Sequence, residues 1–189
     1  MLATGGLLQP WTTVGCSPTL QAPLKGLDGV GDDAGDQRLD HGYALLMEVL
    51  GNETRVSGIL GMKSATAVTE AILRGISAAA TVARDDLAAL LPETPPIDVG
   101  ATGLPLLETD ARNRLENQET VGLLLSSGPT FERRILLTQE KATGYVAALS
   151  EGLASADPNP ARRDRLTELS RRFLQLNAEL RDRLTIKPD

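Results

Sequence analysis

From residue 39 onward, apolar positions recur three and four residues apart, the period of a helix that buries one face. The last segment shows this most plainly. Leu166, Leu169, Phe173, Leu176, Leu180 and Leu184 form one stripe, with Arg163, Arg171, Arg172, Arg181 and Asp182 outside it. Asp157-Pro158 supplies a capping oxygen and a proline whose missing N–H costs nothing in a first turn. Lys187-Pro188 marks the far end of this amphipathic helix.

Residues 66–91 carry a second stripe through Val68, Ile72, Gly75 or Ile76, Ala79, Val82 or Ala83, Leu87 and Leu90, stopped by Pro92, Pro95 and Pro96. A third runs from about 130 to 154, with Phe131, Ile135, Thr138, Ala142, Tyr145, Leu149 and Leu153 expected inward after the start signal Ser126-Ser127-Gly128-Pro129. The first helix, 39–62, aligns Leu39, Tyr43, Leu46, Leu50 and Leu60, with Glu53 and Ser57 on the same stripe. Between the proline-rich loop and Ser126, residues 108–124 predict a shorter helix whose better face holds Ala111, Leu115, Gln118 and Gly122. Strand-like alternation is missing. The pattern predicts an all-α protein: an antiparallel four-helix bundle over 39–189, with an extra short helix lying across one end. Residues 1–38 read as a separate, disordered N-terminal tail.

Composition agrees with helix packing. Of 189 residues, 41% are hydrophobic but only 3% aromatic, so the core rests on Leu and Ala. The net charge of −6 argues against general nucleic-acid binding, which rests on excess cation. One Cys and one His leave too little for a Cys/His metal cage, a disulfide scaffold or a His-based triad.

The tail changes the picture. Thr13-Val14-Gly15-Cys16 resembles the lipobox of bacterial lipoproteins, where small residues precede a cysteine that becomes acylated. Acyl chains then hold the protein to a bilayer at about 0.8 kcal/mol per buried CH2. Ser17 after the cysteine resembles the signal for outer-membrane sorting, and acidic residues 17–38 would serve as a spacer. The match departs from a full signal peptide in two ways: no basic residue precedes Cys16, and Gln9-Pro10 interrupts the apolar run. In the spacer, Gly29-Val30-Gly31-Asp32-Asp33-Ala34 mimics a dinucleotide loop, but two Asp would repel a pyrophosphate. Val30 likewise spoils a calcium-loop reading of Asp28, Asp32, Asp33 and Asp36.

Bundles of this kind can house a di-iron site built from two Glu and two Glu-x-x-His pairs, which a chain with only His41 cannot supply. His41 reads as an exposed first-turn residue. Ser and Cys nucleophiles lack a base within reach, and Asp85-Asp86 reads as solvated. Glu53 is the one acid on an inward stripe, needing a partner or exposure to offset burial. The basic face of residues 158–189 reads as solvated and laced by pairs such as Glu168 with Arg172.

The helical order and the export-like tail resemble the DUF4142 family of bacterial envelope proteins of unknown function, which implies a ferritin-like bundle. The resembling stretch is 41–184, carried best by Val68 through Leu87, the turn Leu125-Ser-Ser-Gly-Pro-Thr-Phe-Glu132, and Gln139-Glu140-Lys141-Ala142. Where that family often has an Asp-His pair and a later His, this chain reads Ser77-Ala78-Ala79 and Ala142-Thr143. The resemblance also places Glu53 near the family's first-helix glutamate. The expectation is a non-enzymatic, cofactor-free bundle in the periplasm, anchored to the outer membrane through lipid on Cys16 and acting as a binding or structural module with a possible protein partner. A carboxylate-only metal or stress-related bundle using Glu53, Glu70 and Glu140 is the alternative.

Overall fold

The computed structural model describes residues 32–185, with side chains from residue 37. Cys16, the rest of the lipobox and Lys187-Pro188 lie outside the described residues. Five helices form: α1 (Asp32–Glu53), α2 (Ala67–Leu90), α3 (Leu106–Leu125), α4 (Gly128–Ala156) and α5 (Pro160–Thr185), with a 3-10 segment at Val56–Gly61 between α1 and α2. Among the described residues there is no strand and no helix long and apolar enough to cross a membrane.

Four of the helices close a ring. α1 packs on α2 and α4, and α5 packs on α2 and α4. Neighbours in the ring run antiparallel: Tyr43 of α1 meets Asp157 just after α4, Asp86 late in α2 pairs with Arg165 early in α5, and along α4 and α5 Glu140 meets Arg181 while Thr143 meets Asn177. The main core draws Leu39, Tyr43, Leu46 and Leu50 from α1, Leu87 from α2, Val146 and Leu153 from α4, and Leu166 and Phe173 from α5. α1 and α4 approach closely at Gly42, where an added Cβ would stand 2.6 Å from Leu153 Cδ2.

Three expectations change. The first helix begins seven residues earlier than position 39, at Asp32, and breaks at Glu53 into the 3-10 segment instead of running to 62. The short helix is a 20-residue element that does not lie across one end. It runs along the outside of α4, antiparallel to it, with Arg112 beside Tyr145 and Glu119 beside Arg134. This crossover carries the chain from the top of α2 back to the start of α4, so the diagonal pair α2 and α4 can point the same way. In α2 and α4, finally, the buried stripe is rotated from the expected one. Val68 and Val82 face solvent while Thr69, Leu73, Ser77 and Ala80 turn inward, and Tyr145 gives way to Gln139, Thr143 and Ser150.

The α4–α5 turn also departs from expectation. Asp157 does not cap α5; its N–H closes α4 on Leu153 O. Asn159 is the cap, its Oδ1 accepting from Arg162 N–H at 3.1 Å, with Pro160 in the first turn. The Asp157 side chain is freed for another role. It accepts from Arg162 Nε (2.7 Å) and Nη2 (3.1 Å), from Tyr43 Oη (2.5 Å) and from Asn159 N–H (2.7 Å). Arg162 Nη1 donates to Glu93 O at 2.8 Å, and Asn159 Nδ2 to Thr94 O at 3.0 Å, which brings in the loop after α2. Tyr43, Asp157 and Arg162 are at most 2% exposed. Burial works against the Asp157 charge, but the bonds from Arg162, Tyr43 and Asn159 hold its carboxyl below the usual carboxylate range.

A buried ion pair with every bond satisfied costs most when one partner is removed. Arg162→Ala is expected to lower unfolding free energy by about 3–5 kcal/mol in urea titration, against about 0.5 kcal/mol or less for exposed Arg172→Ala. Equal effects would contradict this reading of the cluster.

Candidate functional site

Two features stand apart from ordinary core packing. One is a belt of buried polar groups where α1 ends; the other is the outer face of α3.

Glu53 closes α1 just before the 3-10 segment and is only 6% exposed. Beside it, on α4, is Gln139, whose amide is within hydrogen-bonding reach. Glu53 Oε2 and Gln139 Oε1 are both buried without a hydrogen-bond partner, an unusual and costly condition for polar oxygens. Neighbouring polar groups are occupied. Ser77 Oγ donates to Thr54 O at 2.5 Å, Thr143 Oγ1 to Gln139 O at 2.7 Å, and Asn177 Nδ2 to Glu140 O at 2.5 Å. Burial pushes the Glu53 carboxyl up to about 7, only partly opposed by Gln139. Neither expected remedy applies: no Arg or cap satisfies Glu53, and its stripe is not tilted to solvent.

The other carboxylates named from the sequence do not join it. Glu70 sits in the first turn of α2 near Arg74 (3.8 Å), and Glu140 accepts from Arg181 Nε at 2.7 Å. Among the described residues, no three His, Cys, Asp or Glu side chains come together in a way that could hold a metal ion. Ser77 and Thr143, at the positions where the resemblance would place histidine chemistry, instead bond to backbone carbonyls. His41 is not an exposed first-turn residue. It is the tenth residue of α1, half-buried, with Gly103 folded over its ring. Gly103 has φ 66°, and a Cβ there would come within 2.1 Å of His41 Nδ1. Asp86 pairs with Arg165, which also binds Glu168 at 2.6 Å, so Glu168 reaches back three residues instead of on to Arg172.

α3 lies loosely on the bundle, with most of its residues exposed on every side. It touches α4 near its end, where Arg134 Nη1 donates to Gly122 O at 3.0 Å and Arg134 Nε lies 3.8 Å from Glu119. Arg112 is held by Glu108 and by Tyr145, contacts that keep its guanidinium fully charged. Only Leu123 is buried, packing with Leu73, Phe131 and Ile135. At 100° per residue, Leu107, Ala111, Val121 and Leu125 lie on the side away from Leu123, with Leu115 at its edge and Leu106 and Leu124 also exposed on the flank. Leu107 and Leu125 are 82% and 83% exposed, and Leu115 is 62% exposed. Of the face expected to be buried, Ala111, Leu115 and Gln118 are exposed, while Gly122 is half-buried against Arg134. The cause is local: two residues separate α3 from α4, so placing Leu123 on Phe131 fixes the roll of the whole helix. Lys63 Nζ reinforces it by donating to the carbonyls of Leu124 and Ser126.

Glu132 shows what the same turn does structurally. It accepts from Thr66 N–H (2.9 Å), Thr66 Oγ1 (2.8 Å) and Thr69 Oγ1 (2.6 Å), capping α2 from the first turn of α4. Partial burial opposes its charge, yet these bonds hold its pKa below the usual range.

The Glu53 shift has a definite sign. The folded chain holds this proton from pH 4.5 to about 7, where the unfolded chain releases it. Its contribution to stability is thus greatest below pH 4.5 and declines as pH rises to about 7. At about 1.4 kcal/mol per pH unit the loss is about 3 kcal/mol. Glu53→Gln is expected to flatten the urea midpoint between those limits and to stabilise the protein at alkaline pH. A mutant with the wild-type pH slope would contradict the assignment.

Comparison with known protein families, with curated proteins and with solved structures finds no match for this chain.

Proposed function

We propose that this protein is a non-enzymatic, lipoprotein-like helical bundle of the bacterial envelope, similar to the DUF4142 proteins, that works as a binding module. In this reading acylated Cys16 tethers it to the periplasmic face of the outer membrane and residues 17–31 act as the spacer. The observation that carries the binding role is the outward apolar face of α3. A helix that buries only Leu123, touches α4 through Arg112 on Tyr145 and Glu119 on Arg134, and presents Leu107, Leu115, Val121 and Leu125 to water is arranged for a further surface. The interior supports the same reading from the other side. Arg162, Ser77 and Asn177 spend bonds on neighbouring elements, which suits a scaffold. The carboxylate metal alternative has Glu53 in the core, with Glu70 and Glu140 already paired to arginines.

The two parts of the proposal separate experimentally. Mass spectrometry of the membrane fraction should find acyl chains on an N-terminal Cys16, and a native product retaining unmodified residues before Cys16 would remove the tether. For the face, a photo-crosslinking side chain at Leu115 should give a discrete adduct in cells that disappears when Leu107 and Leu125 are changed to Asn. These exposed positions should cost about 0.5 kcal/mol or less of stability. A folded, exported protein giving no adduct would sink the binding role.

A further inference from the structure

The segment between α1 and α2 is held down by few bonds. None of its residues from Val56 to Gly61 is buried, yet Val56, Ile59 and Leu60 cover the apolar cluster of Leu73, Leu123, Phe131 and Ile135. Its polar ties to the bundle are Ser77 Oγ to Thr54 O, Ser57 Oγ to Ser77 Oγ at 3.2 Å and, at its far end, Lys63 Nζ to the carbonyls of Leu124 and Ser126. A Cβ added at Gly51, Gly58 or Gly61 would meet nothing within 4 Å, so no neighbouring side chain packs onto the chain at these points, and glycine restricts its backbone least. Glu53 is the last residue of α1 and the hinge of this strap.

We propose that the strap is a proton-controlled lid: the neutral Glu53 acid, set against the Gln139 amide, keeps residues 54–65 closed over the apolar cluster, and loss of its proton releases them. The two orphaned oxygens carry the argument. Glu53 Oε2 and Gln139 Oε1 are both acceptors and both buried, so one donor is missing between them. A carboxylic acid proton supplies it and leaves no net charge in the core. Once ionised, Glu53 has its own Oε2 and the neighbouring Gln139 Oε1 both without a donor and no cation to turn to. The charged groups on the surrounding elements are committed elsewhere: Glu70 and Arg74 to one another on α2, Glu140 of α4 to Arg181 of α5, Lys63 to the carbonyls of Leu124 and Ser126. Arg55, on the strap, donates to Asn52 Oδ1 at 2.7 Å in the exposed layer. A carboxylate here gains hydration only by moving out. Because Thr54 follows directly, that movement breaks the Ser77 bond and lifts Val56, Ile59 and Leu60 from their cluster. The fall of stability with pH described above would follow from ionisation of a buried acid in any setting; the lid is the further claim that the response is local.

Hydrogen–deuterium exchange of the whole chain at about pH 6 and about pH 8.5, corrected for intrinsic exchange, tests it. The amides of residues 54–65 should lose on the order of tenfold protection between the two conditions, while the α4 and α5 core amides keep theirs. Glu53→Gln should hold the strap closed at both. Ser77→Ala, which cuts the tie without touching the acid, should open it at both. A pH loss spread evenly over all helices, or one unchanged in Glu53→Gln, would overturn the lid. Wild-type protection that does not vary with pH would overturn it as well.

Discussion

The fold depends most on one buried ion pair. Asp157 and Arg162 lie on either side of the α4–α5 turn, both out of reach of water. Desolvating two charges is expensive, and attraction between them repays it only when every remaining donor and acceptor is used. Here the remaining groups draw in the rest of that end of the molecule: Tyr43 from α1, Glu93 O and Thr94 O from the loop after α2, and the Asn159 cap of α5. Three segments distant in sequence, α1, the loop after α2 and the α4–α5 turn, are thus fixed in one place. An apolar substitute could fill the volume but could not specify which loop carbonyl meets which helix.

The opposite end is built on weaker terms. Glu132 caps α2 from α4 and Lys63 caps α3 from the strap, both near solvent. Between them, Glu53 is buried with an amide for company. The molecule therefore has a locked end and an end whose closure depends on a proton. The locked end also sets where α3 begins, through Asp98 N–H on Asp40 and Gly103 over His41. The other sets where it stops and how it rolls. An apolar outward face is the consequence of those two fixed ends, because α3 has no freedom to turn its leucines inward.

Much of the architecture was legible because Leu and Phe stand in strong contrast to Arg and Asp along α5, and Pro92, Pro95 and Pro96 punctuate the chain after α2. The roll of α2 and α4 was harder to read. Their faces are made of Ala, Ser, Thr and Val, residues accepted inside and outside alike, so shifting the stripe by a single position changes hydrophobicity little. Thr143 and Ser150 satisfy themselves by bonding the carbonyl four residues back, a device that disguises a buried polar position. Arg162 was illegible for a different reason: an arginine in a first turn reads as solvated unless a distant Tyr43 and Glu93 are known to be near. Of the candidate residues, Glu53 was visible as the acid on an inward stripe, while its partner Gln139 was not. The outward face of α3 could not be read at all, since periodicity reports an apolar face without saying whether anything covers it.

The apolar side of α3 is free in the isolated bundle, and the proposed binding role requires it to be covered in the native envelope. Cysteine introduced at Leu115 and probed with a membrane-impermeant maleimide measures both conditions, with Leu174→Cys on the outer face of α5 as the exposed control. The account predicts that both positions label at similar rates in the purified protein and that Leu115→Cys alone is protected in the native envelope. Slow labelling of Leu115→Cys in the purified protein, or equal labelling of the two positions in the envelope, would contradict it.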